Sequence, residues 1–160
     1  MIKRLFRDKI GRPILNLLKQ GISPERLSLS IAFGVVIGMF PVLGATTLIC
    51  AAIAIVLRLN QPAIQLFNYL VYPLQILLLI PFMSLGAFIF QGDPPPFSVQ
   101  ELGALFRQDF WGTIASFFET ILYAVVAWLL VCTPLFAGIY AVCVPILKKF
   151  GPIAKNNVSD

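Results

Sequence analysis

The chain has 160 residues, of which 59% are hydrophobic and only 12% charged, with a formal net charge of +5. A soluble domain carries about a quarter charged residues, so this composition excludes an ordinary water-soluble globule and predicts one compact membrane domain. Histidine is absent, and Cys50, Cys132 and Cys143 lie in apolar surroundings without Cys-x-x-Cys spacing, which removes the commonest metal ligand and general base and leaves the cysteines as small hydrophobes.

No charged residue interrupts the chain between Arg26 and Arg58, between Arg58 and Asp93, or between Glu119 and Lys148. Each run exceeds the about 20 apolar residues that span a bilayer, so the sequence reads as an all-α, polytopic membrane protein. Pro41, Pro73, Pro81 and Pro134 fall inside these runs and predict helices broken at Pro and Gly. Such breaks are stable at membrane depth only where protein or a water-filled cavity covers the freed backbone groups.

Residues 1–22 make a basic amphipathic segment. Ile2, Leu5, Phe6, Ile10, Ile14, Leu17 and Leu18 recur at helical spacing among Lys3, Arg4, Arg7, Lys9, Arg12 and Lys19. Two helical pieces, divided at Gly11 and Pro13, are expected to lie in the interface against anionic lipid headgroups. A solvated basic helix that only sets orientation is the alternative. No short apolar core leads to a small-residue cleavage site, so the first long run is expected to serve as the insertion signal.

Residues 23–91 form the membrane core with two broken apolar runs. Ser23-Pro24-Glu25 is a helix start, with serine for the cap, proline for the first helical position and an acid for the first turn. The helix runs to Phe40 and carries Gly34 and Gly38, a small-x-x-x-small pair suited to close helix packing. Met39 to Gly44 reads as a break, Ala45 to Leu57 as a second helix, and Arg58-Leu59-Asn60 as its stop. Asn60 or Gln61 can cap the next helix, with Pro62 in its first turn. That run holds Gln65, Asn68, Tyr69, Tyr72 and Gln75 around a break at Pro73, a density of uncharged polar side chains that predicts an inward face.

Residues 92–116 read as an external loop. Gly92-Asp-Pro-Pro-Pro96 is a turn, and Ser98-Val-Gln-Glu101 matches the capping box of a short amphipathic helix to about Gln108. Trp111 suits an interface. Residues 117–150 form the third transmembrane run, expected to break near Thr133-Pro134, and 151–160 a flexible tail. Both ends are basic, whereas Asp93 to Asp109 holds one arginine and three acids. Basic flanks favour the cytoplasm, so both termini are expected there, with the first run re-entrant and Arg58 on the cytoplasmic side. Single crossings of all three runs, or four crossings with the third run divided at Pro134, remain the alternatives. So small a chain covers its polar breaks poorly, which predicts a homo-oligomer.

From Ser23 to about Phe90 the chain resembles the bacterial Domain of Unknown Function 2062 family. The likeness rests on Ser23-Pro24-Glu25, on Ala32-Phe33-Gly34-Val-Val-Ile-Gly38-Met-Phe40-Pro41, on Gly44-Ala-Thr-Thr47, on Leu57-Arg58-Leu59-Asn60 and on the Asn68/Pro73/Gly86 series. The family commonly shows an asparagine–proline pair in the second run; here Tyr72 precedes Pro73 and Asn68 lies one turn earlier. The resemblance implies a multi-pass protein of the bacterial inner membrane. Some relatives look fused to, or encoded near, envelope glycosyltransferases, which implies lipid or polysaccharide metabolism.

Thr46, Thr47, Asn60, Gln61, Gln65, Asn68, Tyr72 and Gln75, with the helix breaks, can form a midplane substrate site, because discontinuous helices expose dipole ends and orphan backbone groups. The same residues can instead only cap and join the helices. Arg58 can snorkel to headgroups or bind a lipid phosphate. The substrate-binding candidates are therefore Thr46, Thr47, Arg58, Asn60, Gln65, Asn68 and Tyr72. Glu119 can pair with Arg58 or Arg107, or sit solvated at the interface. Acids are few and no serine or cysteine has a visible base, so neither an enzyme, a metal site nor a cofactor is expected. The basic residues cluster at the membrane ends, which argues against nucleic acid. The functional expectation is binding or translocation of an amphiphilic anionic envelope lipid or lipid-linked metabolite. A non-catalytic scaffold or accessory subunit of a membrane glycosyltransferase is the alternative.

Overall fold

A computed structural model describes residues 22–92, 104 and 107–156. The basic segment before Ile22, the turn and capping box after Gly92, and the last four residues of the tail lie outside the described residues. Among the described residues there are four helices: α1 (Pro24–Gly38), α2 (Ala45–Val56), α3 (Gln61–Phe90) and α4 (Phe110–Asn156).

Local chemistry sets most of the boundaries. Ser23 caps α1, its hydroxyl accepting from the Arg26 N–H at 3.3 Å, with Pro24 next in line. Gly44, at φ 83°, turns the chain into α2. α2 ends in a Schellman turn: Leu59 N–H donates to Ala54 O at 2.8 Å and Arg58 N–H to Ile55 O at 3.3 Å, with Arg58 in the left-handed region at φ 51°. Asn60 caps α3 by accepting from Ala63 N–H at 2.8 Å. The Ser30 hydroxyl in turn accepts from Asn60 N–H at 3.0 Å, which ties the second turn of α1 to the start of α3.

α1 is the central helix. It supplies Val36 and Met39 to one apolar cluster with Phe82, Ala127 and Cys132, Leu27 and Ile31 to a second with Ala63 and Leu147, and Ile37 to a third with Cys50, Ala54 and Ile64. The small-x-x-x-small pair faces α3: a Cβ on Gly34 would lie 2.5 Å from Ile64 O, and one on Gly38 3.1 Å from Asn68 O. At 1.5 Å per residue α1 and α2 are about 22 and 18 Å long and α3 about 45 Å. The α1–α2 hairpin therefore reaches only half-way along α3. Its tip is held there by Gln75, whose Nε2 donates to Phe40 O at 2.7 Å.

α4 runs back along α3. The Phe90 and Tyr123 rings stack at 4.5 Å at one end, and Trp128 Nε1 donates to Val36 O at 3.0 Å in the middle. At the other end Lys148 meets Glu25 at 2.9 Å. Ser23, Arg58 and Lys148 consequently share one end of the molecule. Gln61–Phe90 and Trp111–Lys149 are long and apolar enough to cross a membrane, and only 22% and 6% of their most apolar stretches are buried. A helix in the core of a soluble protein would be mostly buried, so these two present their apolar surfaces outward.

Three sequence expectations need correction. The second run is not broken at Pro73: α3 is continuous with Pro73 and Pro81 inside it. The third run is likewise unbroken at Pro134 and continues to Asn156, into the stretch read as a tail. Proline removes one backbone bond, here the one that Leu130 O would accept at Pro134, and long apolar helices tolerate that loss where neighbouring groups cover it. Finally, α4 begins at Phe110, inside the stretch assigned to the loop. Only the first run is divided, between Gly38 and Ala45.

Candidate functional site

The candidate residues separate into two levels. The first is a groove of about 370 Å³ at the end that holds Ser23 and Lys148, lined by Ile22, Ser23, Arg26, Arg58, Leu59 and Asn60. Ser23 and Asn60 are the N-caps of α1 and α3, so two helix starts, each with the positive end of its dipole, border one depression. Arg26 reaches across it, its Nη1 donating to Arg58 O at 3.3 Å. Both arginines are exposed, and among the described residues neither guanidinium meets a carboxylate. Arg58 occupies the backbone position that helix ends usually give to glycine. A left-handed arginine costs of order 1–2 kcal/mol, so the side chain is retained at some expense to the fold.

The second level lies along α3. Gln65 Nε2 donates to Thr47 O at 3.0 Å, and Asn68 Nδ2 to Gln65 Oε1 at 3.4 Å. Gln75 Nε2 donates to Phe40 O, with Val42 O at 3.5 Å. Asn68 and Gln75 are 2% and 1% exposed. The oxygens Gln61 Oε1, Asn68 Oδ1 and Gln75 Oε1 are buried without a partner. Seven-residue spacing puts these three on one helix face. Thr46 is buried on α2, whereas Thr47 contributes its backbone carbonyl.

The expected midplane cluster is therefore not one site. Gln65 and Gln75 join α3 to the hairpin, Asn68 bonds Gln65 within α3, and Thr46 and Thr47 lie on the facing helix, while Arg58 and Asn60 belong to the groove. Tyr72 joins neither: it is 44% exposed, at the margin of the stripe Ile64, Asn68, Val71 and Gln75 that α3 buries. Glu119 does not pair with Arg58, because α4 carries it to the opposite end; its carboxylate accepts from the Tyr123 hydroxyl one turn on. Arg26 and Ser23 were not singled out from sequence as site residues. The available signal was that Arg26 and Arg58 bound one charge-free run, so a hairpin that returns to its starting end must bring them together.

Residues 7–151 match the family described as "Uncharacterized protein conserved in bacteria (DUF2062)". The chain belongs to the DUF2062 family. The match reaches well past Phe90, where the motifs read from sequence stop, and takes in the groove, the amide ladder and most of α4 of this DUF2062 protein. No curated protein and no solved structure matches.

Proposed function

We propose that this DUF2062 protein is a multi-pass protein of the bacterial inner membrane that binds an anionic lipid or lipid-linked metabolite by its phosphate. In this reading α3 and α4 cross the bilayer, the α1–α2 hairpin enters and returns, and both termini face the cytoplasm. The hairpin supports re-entry by its length, since about 22 Å is short of the about 30 Å hydrocarbon core. The groove carries the functional part: Arg26 and Arg58 lie between two helix starts. Guanidinium forks suit phosphate oxygens, and helix starts favour anions. The lipid would enter from the cytoplasmic leaflet, where basic side chains also meet anionic headgroups.

Arg58→Gly and Arg26→Gln test this against a purely structural role. Glycine relieves the left-handed strain, so Arg58→Gly should fold at least as well as the parent. Native mass spectrometry with equimolar phosphatidylglycerol and phosphatidylcholine should show the parent retaining the anionic lipid. Each variant should lose most of that preference, about tenfold for 1.4 kcal/mol. Equal retention of the two lipids by the parent sinks the proposal. Lipid selectivity confined to the accessory-subunit complex, with a membrane glycosyltransferase co-purifying, would favour the scaffold reading.

A further inference from the structure

A second depression lies deeper, between α1 and α4. It measures about 180 Å³ and is walled by Phe33, Val36, Trp128, Cys132 and Phe136. The Phe33 and Phe136 rings meet at 4.7 Å. Its polar atoms are already engaged: Trp128 Nε1 donates to Val36 O at 3.0 Å, and the Thr133 hydroxyl to Leu129 O at 2.6 Å. The notch thus offers an occupant only hydrocarbon, ring faces and a thiol. It is smaller than the about 300–1,000 Å³ that encloses a whole small molecule, which suits part of a chain.

The notch and the arginine groove share one line on α1. Arg26, Leu29, Phe33 and Val36 follow steps of three, four and three, which puts them on one helix stripe. Ile22 and Arg26 line the groove, and Phe33 and Val36 line the notch. Along the axis Phe33 and Val36 lie about 10 and 15 Å beyond Arg26. One leaflet's hydrocarbon is about 15 Å deep, so a phosphate at Arg26 leaves the outer part of its acyl chain level with the notch.

We propose that the notch seats an acyl tail of the same anionic glycerophospholipid whose phosphate lies between Arg26 and Arg58, so that α1 reads one lipid along its length. This rests on the headgroup reading above and goes beyond it by assigning a tail site. Charge complementarity at one end of the stripe, and an uncharged, internally satisfied notch at the depth of the chain, together specify an amphiphile.

The test uses the intact protein in nanodiscs with a trace of phosphatidylglycerol bearing a mid-chain diazirine, followed by peptide mapping of the adducts. Adducts should concentrate on Phe33–Val36 and Trp128–Phe136, the two segments that wall the notch. Arg26→Gln with Arg58→Gly should lower them about tenfold or more, in line with about 1.4 kcal/mol of headgroup contribution. Adducts spread over outward residues such as Leu48, Ile55, Leu77 and Phe88 would mean bulk lipid only and overturn the tail site. If the parent still prefers phosphatidylglycerol in that case, the headgroup reading survives alone. Equal notch labelling from a phosphatidylcholine probe would overturn both. Cys132→Phe, which adds bulk to the wall of the notch, should abolish its adducts; the mapping on the unaltered chain does not depend on that variant.

Discussion

Glycine positions of identical chemistry differ sharply in what surrounds them. A Cβ on Gly86 would lie 2.4 Å from the Tyr123 backbone carbon, whereas one on Gly138 would meet nothing within 4 Å. Backbone cannot yield as a flexible side chain does, so Gly86→Ala should cost about 1–3 kcal/mol through overpacking. Gly138→Ala, inside α4 with open space around it, should be neutral or stabilising by up to about 1 kcal/mol. Thermal unfolding in detergent separates the two, and equal midpoints would mean that α3 and α4 do not approach closely at Gly86. The amide ladder gives a prediction of opposite sign. Asn68 Oδ1 is buried without a partner, and its one side-chain bond is long at 3.4 Å. An unmet buried acceptor costs about 1–3 kcal/mol, so Asn68→Leu should raise the unfolding midpoint. A lower midpoint would show that this oxygen has a partner in the membrane.

The α1–α2 hairpin is the element on which topology turns. In a chain with Cys50, Cys132 and Cys143 replaced by alanine, Leu57→Cys and Gln91→Cys mark the two ends of α3 at exposed positions. A membrane-impermeant thiol reagent should label residue 91 in intact cells and residue 57 only after the cells are opened. Labelling of residue 57 in intact cells would make the first run a crossing and put the arginine groove on the other face. The element boundaries were legible because their causes are local: Ser23-Pro24, Gly44, and Asn60-Gln61-Pro62 act within a turn. The continuity of α3 through Pro73 and of α4 through Pro134 was not, because whether a proline ends an apolar helix depends on what packs around it. The site was half legible for the same reason. The polar face of α3 follows from periodicity, but the outward setting of Tyr72 depends on how far round α3 the neighbouring helices pack. The approach of Arg26 to Arg58 depends on the hairpin closing on itself.

At the scale of the whole molecule, the return of α4 puts Lys148 beside the first turn of α1, next to the groove. The Lys148 ammonium donates to Glu25 at 2.9 Å. This hydrogen bond, followed by a backbone hydrogen bond, holds the Glu25 carboxyl below its ordinary 4.5. A carboxyl depressed on folding favours the folded state above its unfolded value, and the contribution is lost as pH falls through the folded value. The tie between α1 and α4 should thus be intact across pH 6–8 and fade below about pH 4.5. Both partners are well exposed, so the effect is modest and weakens with salt. Thermal midpoints of the parent and of Glu25→Gln should differ at pH 7 and converge in acid; a difference that persists unchanged to pH 3 would assign the effect to helix-start chemistry rather than to the ion pair. Because Glu25 also neutralises a cation beside the groove, Glu25→Gln should strengthen retention of phosphatidylglycerol at low salt. Lys148→Gln should weaken it, although neither residue lines the groove. That opposite pair of shifts follows only if the field of this whole end, rather than two arginines in isolation, attracts the phosphate.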